Sequence, residues 1–356
     1  MSEASEESVR DIVLLGGSAG AIEATQQILK NLPADFPVSI FVVVHTAPQG
    51  PGMLAPVLDR AGGMSAVYPS NDDPLQPGRI YVAPPDHHLA LGPDDTIHVY
   101  RGARENGHRP AIDVLFRSAA ARYAPRSIGV ILSGYLDDGA AGLYAVRNRG
   151  GLGIVQDPTE ALAADMPSRA LEYAGADYVL SAREIGSKLL EFSHGSGKVV
   201  AMKKRRSPAR VPASKEIETQ MPNLLATYPD EGNGTPSVFA CPECHGVLWE
   251  IKEGGAVRYR CRVGHAYSES ILNQELSQAA ESALWAAMRA LEEKASMSRR
   301  MADAVSGPQQ WAVRIREQAA TYAAQAEMLR KMIFGGPAIS KDVAVLPEAS
   351  QSRQAD

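Results

Sequence analysis

From residue 11 to about 192 the chain alternates short aliphatic and β-branched runs with segments whose apolar positions recur every three or four residues. The strand-like runs are Ile12–Leu15, Ser39–Val44, Arg79–Val82, Ile128–Leu132, Gly153–Gln156 and Tyr178–Leu180. Helical spacing falls between them, near 20–31, 111–123, 138–149, 166–173 and 183–192. Apolar runs without internal alternation suit strands covered on both faces. Strand and helix in strict alternation predict an α/β fold with a doubly wound, mainly parallel sheet. Between Leu89 and Tyr100, LALGPDDTIHVY reads as two short strands about a Gly-Pro-Asp-Asp turn, a hairpin added to the sheet.

After Phe192 the pattern changes. SHGSGKVVAMKKRRSPARVPAS is rich in Ser, Gly, Pro and basic residues, which predicts a flexible linker over 194–236. A cysteine-bearing segment follows, then two long helical patterns. The first carries Leu276, Ala280, Ala283, Leu284, Ala287 and Leu291; the second carries Trp311, Ile315, Ala319, Tyr322, Ala326, Leu329 and Ile333. Ser306-Gly307-Pro308 breaks them, so an antiparallel helical hairpin is expected over 269–335. The division is then an α/β domain at 10–193, the linker, a small cysteine module at 237–268, the hairpin, and a disordered tail at 336–356.

With 356 residues the chain has room for several domains. A net charge of −5 gives no general attraction to nucleic acid or anionic membranes. No apolar run is long enough to span a bilayer, and MSEASEESVRD has no signal-peptide core, so a cytoplasmic location is expected. Cys241, Cys244 and Cys261 are odd in number and closely spaced, which favours metal over disulfides.

The chemistry gathers at strand ends. Ser18 lies in GGSAG, on the turn between the first strand and the first helix, with Gly16, Gly17 and Gly20 clearing space around it. Such a serine can be an N-cap, or a nucleophile facing the N–H groups of the helix that follows. The dinucleotide fingerprint fails, since Gly16 would require glycine at 18 and position 21 is alanine. A serine nucleophile needs a base, and the base an orienting acid. His45 follows FVVV at the end of the second strand, and Asp138, with Asp137 as rival, follows the strand ending at Leu132. All reach one sheet edge.

Cys241-x2-Cys244-x16-Cys261-x3-His265 supplies four ligands for tetrahedral zinc, with His245 as an alternative ligand. Four protein ligands leave no open position, so a structural zinc is expected in a ribbon built on WEIKEGGAVRYR.

GGSAGA, VVVHTAP, IYVAPPDHHLAL, HRPAIDVLFRSAA, GVILSGYLDDGAAGL and GGLGIVQDPTEALAADMPSRAL, in that order, resemble the catalytic domain of the chemotaxis protein-glutamate methylesterase, CheB, over residues 10 to 192. The resemblance implies Ser18 as nucleophile, His45 as base and Asp138, not Asp137, as acid. It also implies an oxyanion hole at the N–H groups of Ala19 and Tyr135, pocket walls at His88 and Arg109, and no cofactor for catalysis. The chain departs from the family at Ser18-Ala19-Gly20-Ala21 and at Gly134-Tyr135-Leu136, where Leu136 replaces a glycine and restricts φ. The receiver domain of two-domain members is not seen, so a stand-alone form with a zinc-ribbon-like and helical extension is expected. The implied substrate is a methyl-accepting chemoreceptor or similar helical signalling protein, with glutamine deamidation as a second activity and membrane-bound receptors as the place of action. The rival reading is a regulatory adaptor, weakened in catalysis, that binds a partner through ribbon and hairpin. On the first reading, removing 194–356 leaves small-ester hydrolysis substantially intact.

Overall fold

The computed structural model describes residues 10–92, 94–193, 234–253, 256–304 and 309–335. The expected linker lies outside them up to residue 233, as do the expected tail at 336–356 and the Ser306-Gly307-Pro308 break.

The elements run β1 (Ile12–Gly17), α1 (Ala21–Lys30), β2 (Ser39–Val44), α2 (Leu54–Asp59), β3 (Ser65–Val67), β4 (Asp73–Pro74), β5 (Arg79–Val82), β6 (His88–Leu91) and β7 (Thr96–Tyr100). They continue with α3 (Ile112–Tyr123), β8 (Ser127–Ile131), α4 (Ala140–Asn148), β9 (Leu152–Gln156), α5 (Asp165–Tyr173), β10 (Tyr178–Leu180) and α6 (Ala182–Ser193). Seven strands form one sheet in the order β10-β9-β8-β1-β2-β5-β3, every pair parallel. The α/β reading is therefore right. The short α2, β3 and β4 were not legible, because two- to six-residue elements carry too few positions to show a period.

Alternate residues of each strand feed opposite faces, so one sheet serves two cores. Val13, Leu15, Ile40, Val42 and Val130 pack with α1 and α6, while Ile12, Leu14, Phe41, Val43 and Ile131 pack with α3 and α4. Helix α1 buries Ala21, Ala24, Thr25, Ile28 and Leu29, the spacing that its sequence predicts. On the second face β6 and β7 pair antiparallel, as the hairpin reading expects, with β4 beside β7.

The ribbon is an antiparallel sheet of β11 (Thr235–Ala240), β12 (Val247–Glu253), β13 (Ala256–Cys261) and β14 (Ala266–Ser268). Strand β11 thus begins inside the expected linker range. Two compact units result, Met1–Leu272, which holds both sheet domain and ribbon, and Asn273–Asp356.

Helices α7 (Glu269–Ala304) and α8 (Gln309–Gly335) make up most of the second unit. Met288, Ala295 and Ala302 are buried on α7, and Ala312, Ala319 and Ala326 on α8, both at intervals of seven. That repeat is a coiled-coil seam, closed antiparallel by Arg316–Asp303 at 3.1 Å and by Trp285 edge-on to Phe334. The expected α8 stripe matches except at Trp311, which is exposed beside the buried Ala312. On α7 the seam runs through Met288 and Ala295, while Ala280, Ala283 and Ala287 are exposed. Three- and four-residue steps fit several faces of a small-residue helix, and only the partner selects one.

Candidate active site and metal centre

Strand register brings the site together. In the parallel pair β1–β2, Gly17 lies opposite Val44, so Ser18 and His45 leave the sheet side by side, and the His45 N–H donates to Gly17 O at 3.2 Å. On the other flank β8 ends opposite Gly16, and the Ser18 N–H donates to Ser133 O at 2.9 Å. Ser18, His45 and the 133–138 turn therefore share the carboxyl edge of three adjacent strands, where such sheets place ligands. Ser18 does not cap α1; Gly20 occupies the N-cap at φ 80°, and a Cβ there would lie 2.7 Å from that of Leu162. Among the described residues Ser18 Oγ makes no hydrogen bond to His45, whose Nδ1 is the ring nitrogen turned away from Asp138.

Asp138 is buried and fully engaged. Its Oδ2 receives His45 Nε2 at 2.8 Å and the Ile112 N–H at 2.7 Å; its Oδ1 receives Asn106 Nδ2 at 2.8 Å and the Asp113 N–H at 3.2 Å. Burial works to raise the Asp138 pKa, but the hydrogen bond and charge of His45, with the Ile112 N–H and the Asn106 amide, hold it down to about 2. The carboxylate is thus ionised at any physiological pH. Asp137 points elsewhere and accepts from Ser268 Oγ at 2.9 Å and Ser270 Oγ at 2.7 Å. Gly139 follows at φ 92° as the N-cap of α4, where a Cβ would meet Ile112 and Ile131 at 2.7 Å.

Three neighbours escaped the sequence reading of the site. Asn106 Nδ2 bridges Asp138 and Asp113, the latter at 3.0 Å. Asp113 Oδ1 accepts from the N–H groups of Gly139 and Gly142 at 3.1 and 2.7 Å, which ties α3 to the start of α4. The His108 ring stacks on His45. Burial pushes Asp113 up to about 6, against the opposing charge of Arg258, and burial with the nearby His45 pushes His108 down to about 4. Both His108 and Asp113 lie in HRPAID, so the signal was present, but nothing local says what those side chains touch.

The N–H groups of Ala19 and Tyr135 donate to no partner among the described residues, and the Tyr135 side chain is exposed. Leu136 takes φ 65°, the left-handed conformation that a glycine would hold without strain, at a cost of roughly 1–2 kcal/mol. His88 is buried on β6, with Nε2 on Ala103 O at 2.9 Å and Nδ1 receiving the Ala111 N–H at 3.3 Å. Arg109 binds Asp86 through Nε and Nη2 at 2.9 and 2.6 Å and also donates to Gly102 O. Both residues brace loops at this edge.

In the ribbon, one ligand atom each from Cys241, Cys244, Cys261 and His265 lies within 4.8 Å of the others. Cys244 Sγ is 3.5 Å from Cys261 Sγ, and His265 Nδ1 is 3.6 and 3.5 Å from the Cys241 and Cys261 sulfurs. A tetrahedral zinc with Zn–S of about 2.3 Å would set its sulfurs roughly 3.8 Å apart, so the donor set fits. His265 Nε2 faces Glu243 at 3.3 Å, the outer carboxylate that a metal-bound imidazole commonly has. His245 is exposed at φ 59° in the Cys241–Gly246 turn and is not in the cluster.

The family model for CheB methylesterase matches residues 13–189. A Leptospira interrogans protein provisionally named protein-glutamate methylesterase/protein-glutamine glutaminase is 37% identical over 186 residues, which is 52% of this chain and 96% of that one. Protein-glutamate methylesterase/protein-glutamine glutaminase 2 of Pseudomonas aeruginosa is 35% identical over 53% of this chain and 56% of its own length. The crystal structure of the Thermotoga maritima CheB methylesterase catalytic domain is 34% identical and overlaps 51% of this chain and 97% of that chain, with a TM-score of 0.49.

Proposed function

The chain belongs to the CheB methylesterase family, and from that premise we propose that it hydrolyses glutamate methyl esters on methyl-accepting chemoreceptors and deamidates receptor glutamines at the same centre. The carrying observation is the ion pair of His45 and Asp138 at 2.8 Å, in register beside Ser18.

In this reading Ser18 Oγ attacks the ester carbonyl while His45 Nδ1 takes its proton. Asp138, on Nε2, holds the ring and stabilises the imidazolium that forms. The N–H groups of Ala19 and Tyr135 meet the oxyanion. Collapse breaks the C–O bond, His45 returns the proton, and methanol leaves. Water then attacks the acyl-serine with His45 again as base, which releases glutamate. A glutamine substrate loses ammonia by the same steps. Chemistry of this kind needs no cofactor.

The Cys3His cluster would hold zinc as a structural ion that ties the β11–β12 knuckle to the β13–β14 turn. Three cysteines in such a cluster suit a reducing compartment, which supports placement in the cytoplasm beside membrane-bound receptors. Among the described residues no helix is long and apolar enough to cross a membrane. The strained Leu136 favours the rival adaptor reading, since it lies in the turn that carries Tyr135.

Methanol release from methylated receptor separates the readings. The hydrolase reading expects release by the wild type and none by Ser18→Ala. Receptor binding with no release by either protein would leave the adaptor.

A further inference from the structure

The acid of the proposed triad is one of three carboxylates buried together. Asp138, Asp113 and Glu105 are 1%, 2% and 6% exposed. Buried carboxylates at this density need cations. One is local, because Arg117 lies a helical turn beyond Asp113 and reaches Glu105 Oε1 at 2.5 Å. A second is Arg258, on ribbon strand β13, which pairs with Glu105 and places Nη1 3.3 Å from Asp113 Oδ2. Its side chain is 8% exposed. Arg258 is also the strongest charge opposing the rise in the Asp113 pKa that burial causes.

The ribbon makes a second attachment. Ala266 bridges to Glu105, and the Asn106 N–H donates to Ala266 O at 2.7 Å. The Ser268 N–H donates to Asn106 Oδ1 at 3.2 Å. With its oxygen fixed by that donor, the Asn106 amide presents Nδ2 to Asp138 and Asp113. Arg258 and Ser268 both lie outside the 13–189 segment that matches the family.

We propose that the ribbon is a working part of the hydrolytic centre: Arg258 and the Ser268 N–H are positioning elements that hold Asp138 against His45 through Glu105, Asp113 and Asn106. The inference rests on the reading of Asp138 as the orienting acid. It makes the C-terminal extension necessary for turnover of any ester, large or small.

The test is steady-state hydrolysis of p-nitrophenyl acetate by the full chain, with zinc content and thermal midpoint measured on every variant. Ser18→Ala is the control for the hydrolase reading, and turnover that survives it overturns that reading, not this one. Arg258→Met is expected to lower kcat roughly tenfold to a hundredfold, the loss of one charge-assisted contact, with KM within about twofold. Arg258→Lys, which keeps the charge, and Arg258→Met with Glu105→Gln, which removes one carboxylate and leaves Arg117 to Asp113 at 3.6 Å, are each expected to regain most of kcat. Unchanged kcat in Arg258→Met overturns the proposal, and so does a loss that neither companion variant recovers. If Arg258→Met fails to fold, Arg258→Gln decides, because it keeps a polar donor and removes the charge. A fall in kcat there with KM unchanged supports the proposal, and wild-type kcat overturns it.

Discussion

His45 and His108 stack face to face, with ring centroids 3.7 Å apart and planes 17° from parallel. Two imidazoles in that contact cannot both be charged at low cost, so His108 is kept neutral to about pH 4 by burial and by the His45 beside it. The stack fixes the face of the proposed base.

Stability between pH 4 and 6 should depend on opposing groups of the site, with His108 on one side and Asp113 on the other. His108 binds its proton less well in the folded chain, about 4 against 6.5, so its contribution rises with pH across that window. Asp113 holds its proton more tightly when folded, about 6 against 3.8, so its contribution is full below pH 3.8 and is lost as pH rises through 6. Glu105, held down by Arg117 and Arg258, and the buried His88 act on the side of His108. His108→Phe keeps the stack and removes one of the groups opposing Asp113, so stability should rise less, or fall more, from pH 4 to 6 than in the wild type. Urea midpoints at several pH values check this; parallel curves for the two proteins would show the His108 contribution to be wrong.

Ser18→Ala should abolish ester hydrolysis, and Asp138→Asn should lower kcat by about 10⁴, because the amide favours the wrong imidazole tautomer. Neither residue is a large part of a core, so both proteins should fold, as circular dichroism would verify. Near wild-type turnover in folded Ser18→Ala would remove the proposed nucleophile.

Gly139→Ala should harm both fold and turnover. Its φ of 92° is unfavourable for alanine, and the new methyl would lie 2.7 Å from Ile112 and Ile131. The expected loss is about 2–4 kcal/mol of stability. The shift needed to relieve the clash moves Asp138, so kcat should drop even where the protein stays folded. Chemical denaturation and kinetics at low temperature separate the two effects.

Purified protein should carry about one zinc per chain, and Cys261→Ser should release it. Limited proteolysis should then cut the ribbon, since β13 and β14 meet at that ligand and at the Gly264 turn. Metal-free protein as resistant as the wild type would contradict a structural ion.

Removal of residues 194–356 tests the sequence-level expectation that small-ester hydrolysis is independent of the extension. The contacts of Arg258 with Glu105 and of Ser268 with Asn106 argue for the opposite outcome, a truncated enzyme slow on p-nitrophenyl acetate as well. Equal kcat in the two forms would restore the earlier expectation.

What the sequence determined is local and periodic. Uninterrupted runs such as Ser39–Val44 became buried strands, the three- and four-residue spacing of α1 and α8 became packed stripes, and the Cys241–His265 spacing became a four-ligand cluster. These patterns are written within a few residues of one another and survive any choice of partner. The tertiary structure decided what depends on where distant segments meet. It set Asp138 on His45 and Asp137 on Ser268, stacked His108 on His45, chose the α7 face that is buried, and brought Arg258 to Glu105 across 153 residues of chain. A buried charge shows no period and no spacing in sequence. Its partner is fixed only when desolvation forces each carboxylate to find a donor or a cation within reach, and that reach is set by the fold.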